Sequence, residues 1–258
     1  MKYLGELNWT QAAEARAQNA LVLLPIGSTE AHGPHLPLST DSIISEELCV
    51  RAAVALEAAG ETVLVAPTIS YAKTDYASEF AGTISVSGET ATRLVAEIAG
   101  ALISQGFLRV CLVNNHLEPA HIESLRRACE LTQQRSGHLL AFPDQTEKRW
   151  ARTLSEEFKR GECHAGRYET SLVLAARPKL VDNAARAALS PLPIDLVKEM
   201  HSGKQRFVEM GANSAYFGDP AAATAAEGET LYALLVTMVT TTIKETWRAS
   251  AQVEPDKR

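Results

Sequence analysis

The stretch Leu21-Val22-Leu23-Leu24-Pro25-Ile26-Gly27-Ser28-Thr29-Glu30-Ala31-His32-Gly33-Pro34-His35-Leu36-Pro37-Leu38-Ser39-Thr40-Asp41 changes character twice. It opens as a short apolar run, Leu21–Ile26, of the length a buried strand requires. A polar loop follows from Ser28 to Thr40, stiffened by Pro34 and Pro37. The chain then takes up helical apolar spacing over Asp41–Ala59, with Ile43, Ile44, Leu48, Val54 and Leu56 on the repeat. Thr40 or Asp41 is placed to cap that helix, and Gly60 to end it.

The same alternation recurs along the chain. Thr62–Pro67 reads as a strand, Gly88–Gly106 as a helix bounded by glycines, and Leu108–Val113 as a third buried strand. Leu117–Gln134 reads as a helix, Leu139–Pro143 as a fourth strand, Glu169–Ala176 as the start of another ordered segment, and Glu229–Arg248 as a C-terminal helix. Strands alternating with helices predict βαβ units and a parallel sheet covered on both faces. No internal repeat or linker interrupts the pattern, so one domain over residues 1–258 is expected. The segment Pro191–Pro220 is the least regular and is expected to form a cap or a contact between copies. In open parallel sheets, sites form beyond the carboxyl ends of the strands. The two richest polar clusters, Ser28–Asp41 and Asn114–His121, follow the first and third strands.

Composition narrows the classes. The formal charge of −6 lacks the basic excess of a nucleic-acid scaffold. A chain of 258 residues with 46% apolar content builds a core without a structural metal. The four cysteines, Cys49, Cys111, Cys129 and Cys163, are scattered and form no C-x-x-C pair, which points to a reducing compartment. The first residues show no basic-then-apolar leader, and no run of 18 apolar residues is present, so a cytoplasmic protein without a membrane span is expected.

The chemistry-bearing residues form three clusters. Glu30, His32, His35 and Asp41 place two carboxylates and two imidazoles within twelve residues, a donor set suited to zinc, manganese or iron. Asp41 has an ordinary reading as a first-turn acid that completes a helix dipole. Next to Glu30 and His32 it also reads as a carboxylate bridging two cations. His116 and Glu118 follow the third strand at i and i+2, while His35 and His121 read as structural. The third cluster, Cys163-His164-Ala165-Gly166-Arg167-Tyr168-Glu169-Thr170-Ser171, is either a plain helix start or a general acid–base, His164, beside a carboxylate, Glu169. No G-x-S-x-G elbow, phosphate-binding glycine loop or H-E-x-x-H helix is present.

Together these clusters resemble the creatininase family. The resemblance rests on Gly27 to Pro37 with Asp41, on Gly82-Thr83-Ile84-Ser85 and Asn114-Asn115-His116, on His164-Ala165-Gly166 with Glu169-Thr170-Ser171, and on Gly218-Asp219-Pro220 with Gly228. It implies a three-layer α/β/α fold with a central, mostly parallel sheet and a dinuclear metal site. Glu30 and His116 would bind one divalent ion, His32 the other, and Asp41 would bridge them. Glu118 matches a second-metal glutamate, and His164 matches a residue that shuttles a proton, with Glu169 orienting it or sharing the transfer. Family members often assemble as hexamers, so a homo-oligomer is implied.

The chain departs from creatininase proper where a Trp-Asp pair would close over the substrate; it has Lys159-Arg160-Gly161-Glu162 there. That points away from creatinine itself. Thr74, Leu117, Arg160 and Arg167 are the expected substrate contacts, the arginines facing an anionic group. The expected activity is metal-dependent hydrolysis of an amide C–N bond in a small cyclic or formyl amide, by a hydroxide shared between two metal ions. A metallopeptidase or lactonase of the same family is the chemical alternative, and a non-catalytic metal-binding assembly protein the non-enzymatic one. A closed, small pocket would favour the small amide and an open mouth the peptide.

Overall fold

A computed structural model describes residues 2–251. In chain order its elements begin β1 (Lys2–Tyr3), α1 (Trp9–Ala17), β2 (Leu21–Ile26), α2 (Thr40–Ala58), β3 (Val63–Val65), α3 (Gly88–Ser104), β4 (Arg109–Asn114) and α4 (Pro119–Ser136). They continue with α5 (Lys148–Ala151), α6 (Glu156–Lys159), α7 (Arg167–Ala176), α8 (Asn183–Ala187), α9 (Leu196–His201) and α10 (Ala225–Ala251). The strands form one parallel sheet in the order β1-β3-β2-β4.

Every residue of β2 is buried, because it lies between β3 and β4 and is covered above and below. Alternate side chains serve the two faces. Leu21 and Leu23, with Val63, Val65, Cys111 and Val113, join side chains of α2, α7 and α10. Val22, Leu24 and Ile26, with Leu64, Val110 and Leu112, join those of α1, α3 and α4. The result is the three-layer α/β/α arrangement expected, and it explains why the strands read as continuous apolar runs. Pro25 is tolerated in this central strand by position. Odd-numbered residues of β2 turn their backbone groups towards β3, which has ended at Val65 where Pro25 lacks its N–H. Beyond that point Ile69 N–H donates to the Pro25 carbonyl at 3.0 Å, and Gly27 N–H donates to the Ile69 carbonyl at 2.9 Å.

Several boundaries differ from expectation. Ser39, not Thr40 or Asp41, occupies the N-cap position of α2 and makes no side-chain cap bond. Leu139–Pro143 is not a strand. It makes one bridge, Ala141 to Cys111, because only Ala141 aligns with the β4 backbone. The helix expected from Leu117 starts at Pro119, where a residue without N–H fits the first turn. The C-terminal helix starts earlier than Glu229, at Ala225, and of Arg248 only its place in that helix is described. β1 and α1 escaped the sequence reading: the strand is two residues long, and α1 buries only Ala15.

The irregular segment Pro191–Pro220 forms a cap. Leu196, Phe207, Met210 and Phe217 pack with Ala31 and Ala77 in a third apolar cluster at the carboxyl end of the sheet. Beneath it, close packing at glycines fixes two helices. A Cβ on Gly27 would lie 2.4 Å from the Ser42 nitrogen, so this residue lets the first turn of α2, with Asp41, sit against the end of β2. A Cβ on Gly228 would lie 2.0 Å from the Ser171 carbonyl oxygen, so α10 lies directly on α7. Gly100, inside α3, has nothing within 4 Å of the same position.

These two helical glycines should respond oppositely to alanine. Gly228→Ala is expected to destabilise the protein by about 1–3 kcal/mol through overpacking. Gly100→Ala should be neutral or stabilising by up to about 1 kcal/mol. Denaturant melts of both variants check this, and equal losses would contradict the packing account.

Candidate metal centre

Because β2 and β4 are hydrogen-bonded neighbours, the loops leaving their carboxyl ends meet. The β2 loop delivers Glu30 and His32, the first turn of α2 delivers Asp41, the β4 loop delivers His116, and the first turn of α7 delivers Glu169. All five side chains are buried. The two Asp41 oxygens face different imidazoles: Oδ1 lies 3.2 Å from His32 Nε2, and Oδ2 lies 3.1 Å from His116 Nδ1. Glu30 Oε1 lies 3.2 Å from His116 Nδ1 and 3.6 Å from His32 Nε2, and Glu169 Oε2 lies 3.5 Å from His32 Nε2. Two groups with metal-ligand spacing result, Glu30–Asp41–His116 and His32–Asp41–Glu169, sharing Asp41. A third, Glu30–His32–His164, overlaps both.

The surrounding bonds aim these atoms inward. His116 Nε2 donates to the Lys73 carbonyl at 2.8 Å and His32 Nδ1 donates to the Glu30 carbonyl at 3.2 Å, which leaves a lone pair on the inward nitrogen of each ring. His32 Nε2 is buried and has no hydrogen-bond partner. Ser28 Oγ donates to Asp41 Oδ2 at 2.7 Å, and Thr74 Oγ1 donates to Glu30 Oε2. Ala165 N–H donates to Glu169 Oε2 at 2.6 Å, from a residue held at φ +51°.

The electrostatics express a need for positive charge. Burial alone would raise the Glu30 and Asp41 carboxyls, yet the His116 and His32 imidazoles hold both below their ordinary range. Burial alone would lower His32, and Asp41 with Glu169 reverses this and pushes it up to about 10. Without ions, only protonated imidazoles balance the carboxylates. Imidazole nitrogens converging with carboxylate oxygens in a buried, mixed oxygen and nitrogen donor set have the chemistry to hold a divalent cation.

The other expected site residues fall differently. His164 lies beside the cluster: Nε2 donates to the Ala31 carbonyl at 3.1 Å and Nδ1 faces Glu30 Oε1 at 3.9 Å, while burial lowers its pKa to about 4. Glu118 lines the adjoining cavity, where burial pushes it up to about 7, and its Oε2 accepts from the Tyr76 N–H at 3.3 Å. It belongs to no ligand-spaced group among the described residues. Leu117 lines the cavity. Thr74 is fully buried against Glu30, so it supports a carboxylate and does not face the cavity. Arg160 is paired with Glu162 and Arg167 with Glu227, and neither is among the residues lining the cavity. His121 Nε2 bonds Asn114 Oδ1 at 3.0 Å and His35 Nε2 bonds Thr170 Oγ1 at 2.9 Å, both supporting roles.

Beside the carboxylates lies a space of about 40 Å³, enough for ordered water. A mostly apolar groove of about 700 Å³ adjoins it, and Tyr76, Leu117, Cys163, Leu196 and Met200 line both. The sequence reading missed the cap residues Phe207, Leu196 and Met200, since isolated apolar residues in an irregular segment carry no periodic signal.

The family profile described as creatinine amidohydrolase matches residues 5–243. The chain belongs to the creatininase family. It is 32% identical over 240 residues to the mycofactocin precursor peptide peptidase of Mycobacterium tuberculosis (strain CDC 1551 / Oshkosh), covering 90% of this chain and 88% of that one. It is 29% identical over 198 residues to the creatinine amidohydrolase of Pseudomonas putida, covering 70% and 74%. A solved structure named creatininase Mn superposes with a TM-score of 0.72 at 23% identity, covering 94% and 97%, which establishes the shared fold. This creatininase-family chain is thus a member of a family of amide hydrolases. No helix among its described residues is long and apolar enough to cross a membrane.

Two outcomes follow from this geometry. Asp41→Asn should lower bound divalent metal to less than about half of the wild-type content, read by elemental analysis of dialysed protein; unchanged content would contradict a shared role for this carboxylate. Burial lowers the His35 pKa to about 4, below its unfolded value near 6.5. The unfolded state therefore binds more protons between about pH 6.5 and pH 4, and stability falls as pH drops through that window. In chelator-treated protein, His35→Gln should flatten this acid-side slope of the melting temperature, and an unchanged slope would contradict it.

Proposed function

We propose that this chain is a metal-dependent hydrolase of an amide C–N bond, with the bond presented by a peptide or peptide-like chain. The observation that carries the reading is the convergence of Glu30, Asp41 and Glu169 on the buried Nε2 of His32. Glu30, Asp41 and His116 would hold one ion, and His32, Asp41 and Glu169 the other. Zinc, manganese and iron all suit these donors. Ions held there would supply Lewis-acid activation of water and of the amide carbonyl.

The chain's own residues handle the protons and the substrate. His164 is neutral at physiological pH, and its Nε2–H is engaged by the Ala31 carbonyl. Its Nδ1 is therefore the atom that takes the proton from the attacking water and returns it to the departing nitrogen, a role worth about 10²–10⁴-fold. Glu118, raised to about 7 at the cavity wall, is placed to hold a second proton near the leaving group. Glu169 serves as a ligand in this scheme, and its bond from Ala165 N–H ties it to the His164 loop.

The groove supports a substrate longer than a single small ring, because about 700 Å³ of mostly apolar-lined space adjoins the water-sized one. The peptidase relatives support the same class. The enclosure of the inner space favours a second reading, a small cyclic or formyl amide, with lactones its chemical neighbours. The proposal extends to one domain acting as a cytoplasmic homo-oligomer, a hexamer by the family resemblance. Four free thiols support a reducing compartment, and exposed Trp9, Val54 and Leu180 support contacts between copies.

Short peptides, cyclic amides and formamides should be assayed with and without chelator. Chelator-sensitive peptide hydrolysis is expected. Turnover confined to cyclic amides or formamides would establish the second reading, and metal-replete protein inert throughout would favour an assembly role. His164→Ala should retain metal while kcat falls about 10²–10⁴-fold. Loss of metal would instead make His164 a ligand.

A further inference from the structure

Among the buried acids that the chemistry above leaves unused, Asp144 and Glu162 pair with arginines, whereas Glu157 turns to backbone amides. Glu157, in the short helix α6, is 5% exposed. Its Oε1 accepts from the Tyr168 N–H and its Oε2 from the Asp219 N–H, each at 2.9 Å. Tyr168 lies in the first turn of α7, directly before Glu169. The N-cap of that helix is Gly166, which has no side chain to satisfy the first amides. Glu157 supplies that acceptor from another element, with its negative charge at the positive end of the helix.

The other Glu157 oxygen holds the turn Gly218-Asp219-Pro220. Immediately before it, Phe217 N–H donates to the His164 carbonyl at 2.9 Å. Gly218 also exchanges two 2.8 Å backbone bonds with Leu192 of the cap. The glycines of both motifs make room for this carboxylate. A Cβ on Gly166 would lie 2.4 Å from Oε1, and one on Gly218 would lie 2.4 Å from Oε2, at φ +67°. These contacts give the Gly166 and Gly218 motifs a shared physical reason.

We infer that Glu157 is a positioning residue, whose carboxylate clamps the start of α7 to the 217–219 turn and thereby fixes His164 and Glu169 relative to each other. The kinetic arm of its test rests on the amide-hydrolase reading; the spectroscopic arm does not. Glu157→Gln preserves shape but turns one acceptor into an N–H facing a backbone N–H. In metal-free protein, the ring nitrogen signals of His164 should move by NMR, while those of the distant His138 stay in place. In metal-loaded protein well below its melting temperature, kcat on the best substrate of the panel should fall at least about tenfold with KM within about threefold. Glu157→Asp, which keeps the charge, should fall between wild type and Gln, and it serves as the test variant if Gln does not fold. A folded variant with unmoved His164 signals overturns the inference, whatever its melting temperature. Moved signals with unchanged kcat overturn the catalytic part alone, and no substrate turnover by wild type would sink the hydrolase reading while leaving the spectroscopic result to decide the clamp.

Discussion

Glu30, Asp41 and Glu169 converge on the imidazoles of His32 and His116 in a space nearly closed to solvent. Burying one carboxylate without a counter-charge costs several kcal/mol, and gathering three multiplies that cost through mutual repulsion. Burial pushes Glu169 up to about 8 even with His32 beside it, so this carboxyl carries the cost of its setting. Ser28, Thr74, Lys73 and Ala165 are committed to orienting the members of this cluster, the arrangement that the proposed cation binding requires.

That constraint explains features with no evident reason in isolation. The adjacency of β2 and β4 brings two ligand loops together, and Gly27 allows α2 to press Asp41 between them. The approach of α10 to α7 at Gly228 sets the helix that carries Glu169. The cap contributes Phe207, whose ring centroid lies 4.4 Å from that of His164, so the segment that covers the site also packs against this imidazole. Site and cap are coupled through ordinary packing.

Much of this was legible in the sequence because the relevant signals are local. The buried strands announce themselves as apolar runs, and Glu30, His32 and Asp41 share one loop and its following helix. The layered sheet follows from strand–helix alternation. What escaped depends on contacts between distant segments. Arg160 and Arg167 look available for an anion until Glu162 and Glu227 are seen beside them. Thr74 reads as a substrate contact until its hydroxyl is found on Glu30. Glu157, within Ser155-Glu156-Glu157-Phe158-Lys159-Arg160, looks like solvated surface charge because nothing nearby in sequence reveals the amides it accepts from.

Anomalous diffraction from crystals of the purified protein, collected on either side of the zinc and manganese edges, tests the central claim most directly. The account predicts two peaks in each chain, flanking the Asp41 carboxylate, one within coordination distance of Glu30 and His116 and the other of His32 and Glu169. A single peak, or none after soaking in either metal, would contradict it.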